Sequence, residues 1–202
     1  MGQAKIPLSA KIGFTAWLVV WIPACWIYYG PENFLWLCDI ANFVIAIGLW
    51  LESPLLLSSQ AVSVLVIQIL WSVDFLGKLT LGSHPIGGTE YMFASSRPLA
   101  IRALSLYHLA VPVLLIWAVR RVGYDRRGWK LQSGIAWIIL PLSYLVGDSE
   151  RNLNWLWAPF GVTQTLMQPE LFVCVAMVLL PLILFWPTHL ILTRLLESSA
   201  SN

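Results

Sequence analysis

Runs of about 20 apolar residues recur along this chain with almost no charge inside them. No other feature limits the possible folds as strongly. The hydrocarbon core of a bilayer is about 30 Å thick, and a helix rising 1.5 Å per residue needs about 20 apolar residues to cross it. Six stretches qualify or come close, at roughly 12–29, 33–52, 54–78, 99–119, 132–148 and 170–195. Backbone in lipid must satisfy its own hydrogen bonds, so such runs are read as helices. Hydrophobic residues make up 58% of the chain and charged residues 11%. Soluble domains carry about 25% charged residues, too many to be replaced by so few without the help of lipid. The expectation is an all-α protein: one polytopic bundle of about six transmembrane helices over residues 1–202, with no separate soluble domain.

The connections refine this picture. Pro31 and Pro54 punctuate two very short turns, so the first three helices should be antiparallel neighbours. Residues 79–98, rich in Gly, Ser and Pro, read as a loop. Residues 149–169 contain Trp155-Leu-Trp157-Ala-Pro159, a piece suited to the interface or to re-entering the membrane. Lys5 and Lys11 before the first run give it the polarity of a signal sequence, and Ile22-Pro23-Ala24-Cys25 resembles a lipoprotein cleavage box. Pro23 fits that box badly, so an uncleaved first helix is expected.

Orientation follows from lysine and arginine, which favour the cytoplasmic side. With the N-terminus inside, Lys5, Lys11, Arg120, Arg121, Arg126, Arg127, Lys130 and Arg194 are cytoplasmic, whereas Lys78, Arg97, Arg102 and Arg151 are outside. Both termini are therefore expected in the cytoplasm of a multi-pass protein, assigned here to a bacterial plasma membrane. The basic stretch after the fourth helix reads as a topology anchor that also suits anionic lipid. Trp26, Trp36, Trp71, Trp155 and Trp157 fall near the outer boundary, and Trp17, Trp50, Trp117, Trp129 and Trp137 near the inner one. Indole favours that half-wet level. A net charge of +2 gives no reason to invoke nucleic acid.

Ionisable groups inside a bilayer are costly and face the bundle interior or a wet cavity, which makes them the place to look for chemistry. Cys38, Asp39, Asp74 and His108 are the catalytic candidates; Asn42, Arg102, Ser105, Tyr144, Asp148 and Asn154 are candidates for holding substrate. Asp39 should lie roughly 9 Å, and His108 roughly 13 Å, below the outer helix ends. Polar groups thus gather in the outer half and leave the inner half drier. A histidine near a carboxylate is an oriented base, and beside a thiol it activates a nucleophile. Structural roles compete: Asp39 pairing with Arg102, Asp74 capping its helix or pairing with Lys78, and His108 bonding a carbonyl near Pro112. His84 reads as a solvated loop residue, and His189 as one that snorkels to the headgroups. Cys25, Cys38 and Cys174 have no metal-type spacing, and no cofactor motif is present.

FLWLCDIANF at 34–43 and LSLYHLAVP at 104–112 resemble the androgen-induced-gene-type membrane hydrolases of fatty-acid esters and their bacterial YwaF-like relatives. That resemblance implies a catalytic Thr in the second helix, a catalytic His in the fourth and cytoplasmic termini. His108 matches the histidine. Cys38 stands at or near the nucleophile position, and 33–52 contains no threonine. The expectation is an enzyme, a hydrolase or acyltransferase, taking lipid or acyl substrates from the outer leaflet. The alternatives are a small transporter using the intramembrane Asp and His residues for a proton, cation or polar solute, and a non-catalytic membrane subunit.

Overall fold

The computed structural model describes residues 6–198, and all regular structure among them is helical. Helix α1 (Leu8–Tyr29) stops at Gly30, whose φ of +86° leaves the helical region, and a 3₁₀ turn (Pro31–Leu35) leads into α2 (Leu37–Leu51). Glu52 closes α2 in the left-handed conformation, with φ +49°. Ser53 then caps α3 (Pro54–Leu81) by accepting a bond from the Leu56 amide at 3.3 Å, with Pro54 in the first turn, where a missing N–H costs nothing. Two prolines thus set the tight reversals expected from the sequence.

The expected fourth helix is two pieces, α4 (Leu99–Leu104) and α5 (Tyr107–Val122), broken at Ser105 and Leu106. Helix α6 spans Gly128–Val146. The last run begins with α7 (Pro169–Leu179), passes through a π-helical turn (Leu180–Phe185) and ends with α8 (Trp186–Ser198). Pro181 cannot donate to the ladder, and the wider turn absorbs the missing bond.

Four runs are long and apolar enough to cross a membrane: Leu8–Tyr29, Pro54–Leu81, Leu99–Val122 and Pro169–Leu196. Of the six expected, α2 has 15 residues, and α6 has 19 but opens on the polar Lys130, Gln132 and Ser133. Helix α3 is the centre of the bundle. Its most apolar window is 56% buried against 17–28% in the other three, and it packs on α2, α5 and α6. The outer helices turn large side chains such as Val20, Ile27, Val113, Ile138 and Leu145 away from the protein.

The dry inner half expected from the sequence is corrected here. Ser58, Ser59, Gln60, Ser63 and Gln68 are all buried along the core face of α3. The Gln60 amide donates to Gln132 Oε1 at 3.2 Å, and the Asp125 amide to Ser58 Oγ at 2.9 Å. Closeness of α3 and α6 explains Gly128: a Cβ there would lie 2.9 Å from Ser58 and from the Ser59 nitrogen. At the same end His189 is buried rather than extended to the headgroups. Its Nδ1 and the Tyr124 hydroxyl are bonded at 2.8 Å, and Trp186 lies beside its ring.

Candidate functional site: an aromatic cavity beneath a pinned loop

A cavity of about 580 Å³ opens among α1, α2, α3 and the α4–α5 break, at the end of the bundle where α1 stops. Cys38, Asp39, Ser105 and His108, four of the side chains singled out from the sequence, share its wall. A second hollow, about 650 Å³, is lined by α5 alone and is a surface groove.

The break positions His108. Around it the amides of Ser105, Leu106, His108 and Leu109 bond carbonyls three residues back, a tighter winding than an α-helix. This brings the Ser105 carbonyl to His108 Nδ1 at 2.8 Å. A carbonyl only accepts, so Nδ1 carries the proton and a neutral ring presents its lone pair on Nε2. Nε2 has no partner among the described residues. The ring is clamped between Tyr107 and Trp71, at centroid distances of 4.0 and 4.7 Å. Pro112 frees the His108 carbonyl four residues back; Ser72 Oγ lies 3.3 Å from it and donates its proton to the nearer Gln68 carbonyl at 2.6 Å.

Asp39 is 5% exposed. Its two oxygens accept from the Tyr107 hydroxyl and from Asn33 Nδ2, both at 2.8 Å. The pair expected with Arg102 is not formed: Arg102 donates to the Met92 carbonyl at 2.8 Å, and no cation neutralises Asp39 among the described residues. Cys38 Sγ lies 4.0 Å from Asp39 Oδ1. A carboxylate neighbour disfavours a thiolate, and His108 bonds neither Cys38, Asp39 nor Asp74.

Asp74 sits under a loop instead of on the cavity wall. It is fully buried and accepts from the amides of Ile86 and Gly87 at 2.9 and 2.8 Å, from His84 Nδ1 at 2.9 Å and from the Thr89 hydroxyl. Lys78, its expected partner, donates to the Gly82 carbonyl. Pro85 packs so closely on Gly77 that a Cβ there would lie 2.8 Å from its ring. The pinned loop carries Gly88 and Tyr91 to the cavity. Tyr91 accepts from Trp71 Nε1 at 3.1 Å, and burial raises its hydroxyl above the usual tyrosine range, keeping it neutral. Asp74 is thus a positioning residue, and His84 is its partner rather than a solvated side chain.

At the mouth, the Arg97 guanidinium lies over the rings of Tyr29 and Tyr91, 5.7 and 5.3 Å from their centroids. Arg97 faces no carboxylate among the described residues, whereas Arg151 pairs with Glu32 at 3.1 Å.

The remaining candidates lie elsewhere. Asn42 is fully buried one turn along from Asp39, and both its amide atoms lack partners. Asn154 clamps the entry to α2, accepting from the Leu37 amide at 2.9 Å and donating to the Leu35 carbonyl at 2.8 Å. Tyr144 donates to Glu170 at 2.8 Å, and Asp148 accepts from the Arg151 amide at 2.8 Å; both are structural contacts outside the cavity. The Trp-rich segment, expected to lie in the interface or to re-enter the membrane, forms two 3₁₀ turns, Leu153–Trp155 and Pro159–Gly161, and lends Leu153 and Trp155 to the cavity wall. No three His, Cys, Asp or Glu side chains come together as a metal site among the described residues.

Asn33, Trp71, Tyr91, Arg97 and Tyr107 were not among the expected site residues. Tyr107 precedes His108 and was within reach of sequence reasoning; the others depend on how the loops fold back. No protein-family model matches the chain, and neither a curated protein nor a solved structure matches it.

Proposed function

We propose that this chain crosses a membrane six times with both termini cytoplasmic, and that its cavity opens toward the outer leaflet to take a lipid-class ester, with His108 as general base. The observation that carries this is Nε2 of His108, held with its lone pair free beside a cavity sized for a small polar head and the first part of a chain. Four apolar runs support the crossings. With its preceding 3₁₀ turn, the second segment runs from Pro31 to Leu51, long enough to span where the surrounding lipid is thinned.

In the reaction, Nε2 takes a proton from water as the water oxygen bonds to the ester carbonyl carbon. The acyl C–O bond then breaks, and the proton held on Nε2 goes to the departing alkoxide. The products are a fatty acid and an alcohol. Water is favoured over Cys38 as nucleophile, because the adjoining Asp39 carboxyl disfavours a thiolate and the His108 imidazole does not bond the thiol. The resemblance to fatty-acid-ester hydrolases supports the reading through His108, and the missing threonine of the second helix is a departure from that pattern.

Transport is the second reading. It is favoured by Asn42, Gln60 and Gln68, whose buried amides below the cavity keep atoms without partners. Turnover of a fluorogenic long-chain ester in proteoliposomes separates the two. His108→Ala should lower turnover by about 100-fold or more, the usual contribution of a general base, and Cys38→Ala should leave it close to wild type. Wild-type turnover with His108→Ala equally active overturns the base. Absent turnover together with wild-type dissipation of an imposed proton or solute gradient selects transport.

A further inference from the structure

The cavity holds a carboxyl group and a guanidinium, and among the described residues neither faces a group of opposite charge. Asp39, 5% exposed, receives only neutral donors, Tyr107 and Asn33. Arg97, at the mouth, meets only a hydroxyl and two aromatic faces. Asp39 is nearly buried, where a charge needs a counter-charge or strong hydrogen bonds, and Arg97 is half-buried at the mouth. Between them runs a continuous aromatic wall. Arg97 covers Tyr91; Tyr91 bonds Trp71 at 3.1 Å; Trp71 stacks on His108 at 4.7 Å; His108 stacks on Tyr107 at 4.0 Å; and Tyr107 bonds Asp39 at 2.8 Å. Trp21 stands edge-on to Tyr107 at 6.0 Å, on the side of α1. Eight cavity residues in all are Trp or Tyr. Aromatic faces beside a carboxylate are the surroundings that a quaternary or primary ammonium seeks, because the ring quadrupole attracts the cation without demanding full hydration. A guanidinium suits a phosphate. Arg97 lies at the mouth against Tyr29 and Tyr91, and Asp39 lies on the α2 wall against Tyr107.

We infer that this cavity recognises a zwitterionic phospholipid headgroup of the choline or ethanolamine type, its phosphate on Arg97 and its ammonium beside Tyr107 and Trp21 against Asp39. The inference rests on reading the cavity as a lipid site but not on His108 acting as a base.

The test is native mass spectrometry of the full chain in detergent. It is titrated with a phosphatidylcholine and a phosphatidylglycerol of identical acyl chains, and with soluble glycerophosphocholine. Wild type should bind phosphatidylcholine about tenfold more tightly than phosphatidylglycerol, as one desolvated cation–π and carboxylate contact predicts. Asp39→Asn, which keeps the size of the side chain, should bring that ratio to within about twofold. Arg97→Gln should weaken both lipids by a similar factor. Equal binding of the two lipids by wild type overturns the proposal whatever the variants do. So does a preference that survives in Asp39→Asn. Glycerophosphocholine binding as tightly as the lipid would assign the site to a soluble zwitterion and overturn the lipid assignment. Ester turnover is read on the same wild-type preparation: headgroup preference without turnover overturns the base alone, and turnover without headgroup preference overturns the recognition alone.

Discussion

Replacing Asp74 with alanine removes the acceptor that holds the loop over the cavity. Four donors lose their partner at once: the amides of Ile86 and Gly87, His84 Nδ1 and the Thr89 hydroxyl. Hydrogen bonds to a charged group contribute about 1.5–3 kcal/mol each. Their simple sum overshoots, because a released loop at the bundle end recovers water. Breaking a buried charged cluster by removing one member costs about 3–5 kcal/mol, and we take about 4 for Asp74→Ala. Asp74→Asn keeps an oxygen for the two amides and offers an NH₂ to Thr89 and His84. It loses charge assistance, which roughly doubles the strength of such bonds, so about 1–2 kcal/mol is expected. The assay is hydrogen–deuterium exchange at Ile86 and Gly87. At about 1.4 kcal/mol per decade, Asp74→Ala should speed exchange there by about a thousandfold and Asp74→Asn by about tenfold. Unchanged exchange in Asp74→Ala would refute the pinning. Equal effects of the two variants would refute the reasoning from charge.

Gly128→Ala drives a Cβ to 2.9 Å from the Ser58–Ser59 backbone and should destabilise the bundle by about 3 kcal/mol, read as a lowered Tm in detergent. Asn154→Ala removes the clamp on the entry to α2 and should cost about 2 kcal/mol. The change should appear as faster exchange of the Leu37 amide, with α3 unaffected. Outside the helices, bonds from Arg127 hold the Asp125 carboxyl below the usual range. A lowered folded pKa gives stability that is complete above the unfolded value near 4 and is lost as pH falls through the folded value. Protection of the Arg127 amide should therefore drop below about pH 4 in wild type and be independent of pH in Asp125→Asn. The effect should be small, because Arg127 is largely exposed.

What was legible in the sequence was mostly local. Pro31 and Pro54 announce their turns because proline fixes φ and lacks a donor, and the helices on either side follow. Asp39 and His108 stand out because ionisable groups in apolar runs are costly, and both reach the cavity. The break at Ser105–Leu106 was not legible. Leu, Ser and Tyr carry no strong helix-breaking signal, and the tighter winding follows from the bonds around His108. Arg102 bonds the Met92 carbonyl, supplied by the loop, in place of the expected pair with Asp39. The partners of Asp74 were equally hidden: they come from a loop with no periodicity, folded back by a glycine–proline contact. Arg97 and Tyr91 are ordinary loop residues in sequence, and only the fold places them on the mouth of the cavity.

The central claim, that this cavity is where a lipid enters the bundle, is tested most directly by photo-crosslinking. The protein is reconstituted with a phosphatidylcholine carrying a diazirine near the headgroup end of one acyl chain, and the modified residues are mapped by mass spectrometry. The account predicts labels on cavity residues such as Ile67, Ile101 and Tyr91, reduced by excess unlabelled phosphatidylcholine. Labels confined to the outward faces, at residues such as Val20, Val113 and Leu145, and insensitive to that competitor would contradict it.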